Sequence, residues 1–183
     1  MKPIFLKGKR IDLRVLDPKD DLESYSCWIN DQELTVFLSV GKFPTTRSGL
    51  RDFINVYKAS KDLLLGIFKQ DEHIGNITLH HIDWQNRVGE LGILIGDKKH
   101  HGKGYGSEAV RLLLEHAFNR LNLRKVTAGM FSGNKASQKM FEKLGFMLEG
   151  CLREQFFYHG KYYHNLRYGL LRREWVQKTE QQK

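Results

Sequence analysis

The chain is short of the residues that mark several protein classes. Its 183 residues include only two cysteines, Cys27 and Cys151, and three prolines. Two cysteines make no disulfide framework; they suit a reducing compartment as buried thiols. Apolar runs stop at about six residues, as in Leu63 to Phe68, too few to span a bilayer. The start, MKPIFLKGKR, lacks an apolar region of signal-peptide length. No His-x-x-x-His pairing lies near a carboxylate, so no metal site is expected. The histidine pairs (His80-His81, His100-His101, His159 with His164) read as surface or pocket residues. A cytoplasmic chain without a membrane partner follows.

What is present fits a globular fold. Hydrophobic residues make up 40% and charged residues 28%. The length suggests one domain over 1–175, with a polar, frayed tail over 176–183. Thirty Lys and Arg against 21 Asp and Glu give a net charge of +9, a field that attracts polyanions. The charge is spread, with no arginine run and no interleaved aromatic–basic motif, which disfavours nucleic acid.

Leu91 to Ala117 carries the strongest local signal. Leu91–Ile95 reads as a buried strand. Gly96-Asp97 and a basic, glycine-rich turn follow. Then Val110, Leu113, Leu114, Ala117, Phe118 and Leu121 recur at helical spacing. A glycine turn entering a helix offers unpaired N–H groups and a partial positive charge, a natural seat for a phosphate or pyrophosphate. Lys99, His101, Gly102, Lys103, Gly104, Tyr105, Gly106 and Ser107 are the candidates to line it. A P-loop is excluded, because Gly102-Lys103 runs into Gly104 rather than Ser or Thr. The dinucleotide fingerprint is met loosely by Gly104, Gly106 and Ala109, but 124–131 lacks the acidic ribose partner. A plain helix-capping loop is the alternative.

Elsewhere, 9–16 alternates as a first strand. Asp17-Pro18 opens a helix running to Asn30-Asp31. Residues 33–38 are a short helical or irregular piece, and Thr46 caps a helix through Tyr57. Residues 63–69 and 73–81 pair as strands around a turn at 70–72, with Gly75 marking a bulge or close approach. Asp83 to Asn86 turns into a strand over 88–95. Asn134 caps a helix whose apolar face is Ala136, Met140, Phe141 and Leu144, ended by Gly145. Strands near 147–159 and 162–172 could form a hairpin pairing across a homodimer interface.

Three blocks carry a family resemblance. Lys99-His-His-Gly102-Lys-Gly104 is similar to the R/Q-x-x-G-x-G/A signature of the GCN5-related N-acetyltransferases, with Lys99 in place of Arg or Gln. GNKASQKMFEKLGF over 133–146 resembles the second block of that family. Glu149 to Arg153, Gly160 to Asn165 and Tyr168 to Trp175 resemble the branch that holds ribosomal-protein N-terminal, spermidine and amino-sugar-nucleotide acetyltransferases. The likeness runs from about Ile11 to Trp175. It implies an α/β (α+β) fold, a mixed, mostly antiparallel sheet of about seven strands with about four helices, split in a V between the strands at 88–96 and 124–131.

The resemblance also implies acetyl-CoA as co-substrate and a primary amine as acceptor. The amides of Leu94, Ile95 and Gly96 would meet the thioester and its arm, and Asn134, Ser137 and Lys143 the cofactor from the second helix. Many relatives place a Tyr acid where this chain has Phe141, leaving Ser137 as the hydroxyl on that helix. Glu90 and Glu154 are base candidates, Glu154 because strand alternation puts it on the face of Phe156, where the ribosomal branch has Glu. Trp28, Asn30, Asp31, Glu33, Phe37 and His164 are the acceptor-side candidates. A small molecule such as a nucleotide-linked amino sugar is the leading acceptor. Protein N-termini and polyamines are the alternatives, and a non-catalytic acyl-CoA-binding module is the reading of another class.

Overall fold

The computed structural model describes residues 3–38 and 40–180. In chain order its elements are β1 (Ile4–Lys7), β2 (Asp12–Val15), α1 (Glu23–Asn30), α2 (Arg47–Ala59), β3 (Leu63–Lys69), β4 (Glu72–Asp83) and β5 (Val88–Ile95). A 3-10 turn (Lys98–His100) leads to α3 (Tyr105–Asn119), then β6 (Lys125–Phe131), α4 (Lys135–Leu144), β7 (Met147–Tyr158), β8 (Lys161–Leu171) and α5 (Arg172–Glu180). The chain packs as two compact units, Met1–His80 with Gly92–Leu113, and His81–Leu91 with Leu114–Lys183. Neither is one continuous stretch, because the chain passes between them within β4, β5 and α3.

In the first unit β1, β2, β3 and β4 pair antiparallel in that order. Leu13 and Ile67 face each other across β2 and β3 and are fully buried. The β3–β4 turn is tight, with Gln70 at φ 56. Gly75 is a close approach, since a Cβ there would meet the Leu94 carbonyl. Helices α1 and α2 bury Tyr25, Trp28, Ile29, Leu50 and Ile54 against Leu16, Leu64 and Phe68. Thr46 caps α2, its hydroxyl accepting the Gly49 N–H at 3.1 Å. The first helix starts at Glu23, later than Asp17-Pro18. There the Asp20 carboxylate takes the Asp17 N–H at 2.7 Å, and the Asp17 carboxylate takes the Lys19 N–H at 2.9 Å. Those side chains hold a turn that competes with helix.

In the second unit the order is β5, β6, β8, β7. The β5–β6 pairing is parallel and ends at Glu90 opposite Thr127; β6–β8 and β8–β7 are antiparallel. Alternation along β6 sends Val126, Ala128 and Met130 into the core with Tyr168 and Leu170 of β8. The opposite face carries Lys125, Thr127 and Gly129, with Asn165 and Arg167 as partners of Phe131 and Gly129. Phe118 is fully buried, with the Trp175 ring 6.3 Å away. Gly145 closes α4 at φ 100, where a side chain would be strained.

The mixed, mostly antiparallel α/β architecture is the expected one, with eight strands and five α-helices among the described residues. The elements beyond the sequence count include β1 and α5. The tail expected to fray from residue 176 continues as α5 to Glu180, while 181–183 lie outside the described residues. Both cysteines are exposed rather than buried. Cys27 lies off the α1 face that holds Tyr25, Trp28 and Ile29, and Cys151 lies on the outermost strand, β7. On α4 the buried set is Gln138, Phe141 and Leu144; Ala136 is exposed and Met140 half-buried. Gln138 is held because its amide donates to the Ser132 carbonyl at 2.9 Å. Among the described residues no helix is long and apolar enough to cross a membrane.

Phe118→Ala should lower stability by about 3–5 kcal/mol, the range for emptying a fully buried phenyl site. A denaturant titration at unchanged m-value checks it.

Candidate active site

The glycine turn of the first unit is held from several sides. As β5 ends, the Gly96 N–H donates to the Ile74 carbonyl at 2.9 Å. That amide is therefore committed to β4 and does not remain for a thioester. A Cβ at Gly96 would run into the Trp28 indole. Trp28 is buried in the helix core, 5.0 Å from the His73 ring, so it braces the turn rather than standing open to an acceptor. Asp97 accepts the Lys99 N–H at 3.0 Å and starts the 3-10 turn. His101 Nε2 donates to the Ile95 carbonyl at 2.8 Å, which fixes its tautomer when neutral.

Gly102 and Gly104 have φ of 71° and 81°, values that suit glycine, and nothing lies within 4 Å of where a Cβ on Gly102 would stand. The first N–H of the α3 ladder is that of Glu108, on the Gly104 carbonyl at 3.1 Å. The amides of Tyr105, Gly106 and Ser107 precede it and have no partner within the helix. Open space, permissive backbone and unpaired amides fit a diphosphate.

The lysines around the turn do different work. Lys98 Nζ bridges Glu33 at 2.8 Å and Asp31 at 3.2 Å. Lys99 bridges Glu72 and Asp97, at 3.0 Å from the latter. Hydrogen bonding to Lys99 and then to His100 outweighs desolvation and holds Glu72 below the usual carboxylate range. Glu72, Asp97 and His100 stand close enough to surround a cation, but Lys99 already occupies that role. Lys103 is the lysine of the turn whose ammonium has no partner among the described residues.

The acceptor-side candidates of this unit are partly structural. Asn30 donates to the carbonyls of Ser26 and Thr45 and accepts the Thr45 N–H at 2.8 Å, fastening α1 to the segment before α2. Asp31 accepts the N–H groups of Leu34 and Glu33; with Lys98 these hold its carboxyl below the usual range. Phe37 is half-buried in the turns that follow.

In the second unit, Arg167 grips Glu90 with both arms, Nη1–Oε1 2.9 Å and Nη2–Oε2 3.0 Å. The pair crosses β6 over Gly129, where a Cβ would stand 2.6 Å from Arg167 Nη1 and 3.2 Å from Asn165 Oδ1. Asn165 is buried, and its Oδ1 has no hydrogen-bond partner among the described residues. Asn134 caps α4 by accepting the Ser137 N–H at 3.1 Å. The Ser137 hydroxyl is uncommitted among the described residues, and Lys143 is exposed in the last turn.

Glu154 does not share the face of Phe156 by alternation. The β7–β8 register slips between Leu152 and Phe156, and Glu154 sits at φ 52. Its side chain is exposed, while its N–H donates to His164 Nδ1 at 3.0 Å. Neutral His164 thus carries its proton on Nε2 and is a donor there. Phe156 stacks on Phe131 at 3.9 Å.

Sequence reading missed the cation partners. Arg10 meets Glu108 98 positions away, Lys98 meets Glu33 65 positions away, and Arg167 meets Glu90 77 positions away. No local spacing signals such pairs; only the fold brings them together.

Comparison with known proteins follows the same lines. The family model for the acetyltransferase (GNAT) domain matches residues 10–147. The chain is similar to YdaF of Bacillus subtilis (strain 168), provisionally named a ribosomal N-acetyltransferase: 31% identical over 174 residues, 92% of this chain and 94% of YdaF. It is 31% identical over 111 residues to the spermidine N(1)-acetyltransferase of Vibrio cholerae serotype O1, 61% of this chain and 64% of that enzyme. The crystal structure of a probable acetyltransferase matches at TM-score 0.81 and 30% identity, over 92% of this chain and 96% of that one.

Gly102→Val should raise KM for acetyl-CoA at least roughly tenfold with a smaller change in kcat, because a β-branched residue at positive φ is strained. Steady-state kinetics in both substrates reads that split. Glu108 gives a pH prediction. Burial pushes its pKa up, but hydrogen bonds from the Arg10 N–H, the Arg10 side chain and the Lys9 N–H prevail and hold it below the usual value. Its stabilisation is present above the unfolded pKa of about 4.3 and is lost as pH falls through the lower folded value. Glu108→Gln should flatten the acid limb of a melting-temperature profile below about pH 5.

Proposed function

The chain belongs to the GNAT acetyltransferases, N-acetyltransferases whose donor is acetyl-CoA, and we propose that its acceptor carries one primary amine, foremost the N-terminal α-amine of a protein. The observation that carries this reading is the pairing of the carboxylates offered to an acceptor. Asp31 and Glu33 share the one ammonium of Lys98, a net of one negative charge. Glu90 is balanced by Arg167. A polyamine needs several unbalanced carboxylates, and a chain at +9 repels it at longer range. The likeness to YdaF, which spans 92% of this chain and 94% of that one, is in keeping with a protein α-amine. The nucleotide-linked amino sugar favoured from the sequence has no counterpart among these relatives.

In the reaction the amine nitrogen attacks the thioester carbonyl, the carbon–sulfur bond breaks, the amine loses a proton and the thiolate gains one. We read Ser137, whose hydroxyl is uncommitted among the described residues and whose backbone N–H is pinned by Asn134, as the group that gives the thiolate its proton. Glu90, both of whose oxygens are oriented by Arg167, is read as the group that takes the amine proton through water. The exposed Met147, Leu148, Leu152 and Phe157 on β7 support the homodimer expected of the last hairpin.

Thiol release should be followed with peptides bearing free N-termini, with spermidine and with amino-sugar nucleotides. Peptides should exceed spermidine by roughly tenfold or more in kcat/KM. Ser137→Ala should lower kcat by about 10²-fold with little change in KM, the usual range for losing a general acid. Turnover on spermidine with silence on every peptide would reverse the assignment.

A further inference from the structure

A side chain from the far end of the sequence reaches the glycine turn. Arg10 lies between β1 and β2. Its Nε donates to Glu108 Oε2 at 2.8 Å, and its own backbone N–H donates to Glu108 Oε1 at 2.8 Å. Nη1 donates to the Lys103 carbonyl at 3.0 Å. The guanidinium stands 5.1 Å from the centre of the Tyr105 ring. So oriented, Nη2 comes to 3.3 Å from the place a Cβ on Gly104 would take. Among the described residues nothing accepts from Nη2, and the side chain is 53% exposed.

Two further observations converge on the same point. Lys98 and Lys99, the neighbouring cations of the turn, are each bound by two carboxylates. The turn's own motif therefore supplies less free positive charge than its composition suggests. Glu108 also places a carboxylate in the first turn of α3, where it would repel an anion seated on the helix end. Arg10 offsets that charge through its Nε, while its Nη1 is taken by the Lys103 carbonyl. Nη2, without an acceptor among the described residues, is left beside Gly104. A guanidinium held at Nε and Nη1 with Nη2 unbound suits a phosphate oxygen, since the remaining donor is pre-oriented.

We propose that Arg10 is a donor-binding residue, its Nη2 hydrogen-bonding the diphosphate of acetyl-CoA from outside the glycine motif. The proposal rests on the reading of this turn as the diphosphate seat.

Titration calorimetry tests it without turnover, using CoA, dephospho-CoA (which keeps the diphosphate and lacks the 3′-phosphate) and pantetheine (which lacks both). Arg10→Met should weaken CoA and dephospho-CoA alike by roughly tenfold, the scale of one charge-assisted hydrogen bond, and leave pantetheine unchanged. Its CoA affinity should also depend less steeply on salt than that of the unaltered protein. Arg10→Lys keeps the charge and loses the fork, so it should recover part of the affinity at low salt. If Arg10→Met fails to fold, Arg10→Lys decides: a weaker CoA with unchanged pantetheine supports the contact.

Unchanged CoA affinity in Arg10→Met overturns the proposal. So does a loss confined to CoA with dephospho-CoA spared, which would place Arg10 at the 3′-phosphate. Arg10→Lys no better than Arg10→Met would make Arg10 a scaffold for the turn. If the unaltered protein binds pantetheine as tightly as CoA, the diphosphate reading of the turn falls, and the proposal with it.

Discussion

Helix α3 begins with amides that its own ladder cannot satisfy, and much of the first unit serves to hold that helix end in place. An anion seat made of backbone N–H groups works only if the backbone does not wander. Here each approach to the turn is fixed by a different interaction: the Trp28 indole against Gly96, the Gly96 amide on β4, His101 on the Ile95 carbonyl, Lys99 across Glu72 and Asp97. Arg10 and Glu108 tie the strand pair at the start of the chain to the first turn of the helix. The side chains named in a motif and the side chains that make the motif rigid are largely different residues.

The charge of the chain takes on a different meaning once its partners are seen. A net of +9 reads as a broad attraction for polyanions. Around the turn, however, Lys98 and Lys99 are absorbed into carboxylate pairs. Exposed pairs of this kind add little to stability, yet they fix where charge is free. The same holds on the β6–β8 face, where Glu90 and Arg167 cancel. Local pairing, rather than the total, decides which ligand charge a surface meets.

Much of the architecture was legible because it follows local rules. The 88–95 strand, the α3 face, the Thr46 and Asn134 caps and the Gly145 stop each rest on spacing or on one residue's conformational preference. The start of α1 was misread because Asp17 and Asp20 hold a side-chain turn that competes with a proline-led helix. Glu154 was misplaced because alternation fails at a bulge, and no residue there announces one. Gln138 in the core, and Ala136 outside it, depend on a carbonyl offered by the loop before α4. The glycine turn and the start of the helix after it were readable from glycine spacing. The pairing state of its carboxylates was not, because each partner arrives from a different part of the chain.

Gly129 shows how far a missing side chain can reach. The Glu90–Arg167 pair passes over β6 because that position has no Cβ. A larger residue would have to move the end of Arg167, leaving Glu90, three-quarters buried, with a weakened pairing and His81 Nδ1 at 4.0 Å. Positions 90, 129 and 167 therefore behave as one mutational unit spread over three strands. Drift at 129 is restricted while the pair exists, because a new side chain must share space with Arg167 and Asn165. A chain that lost the arginine first would leave this face one positive charge poorer, so the charge that the face presents can change by a single substitution.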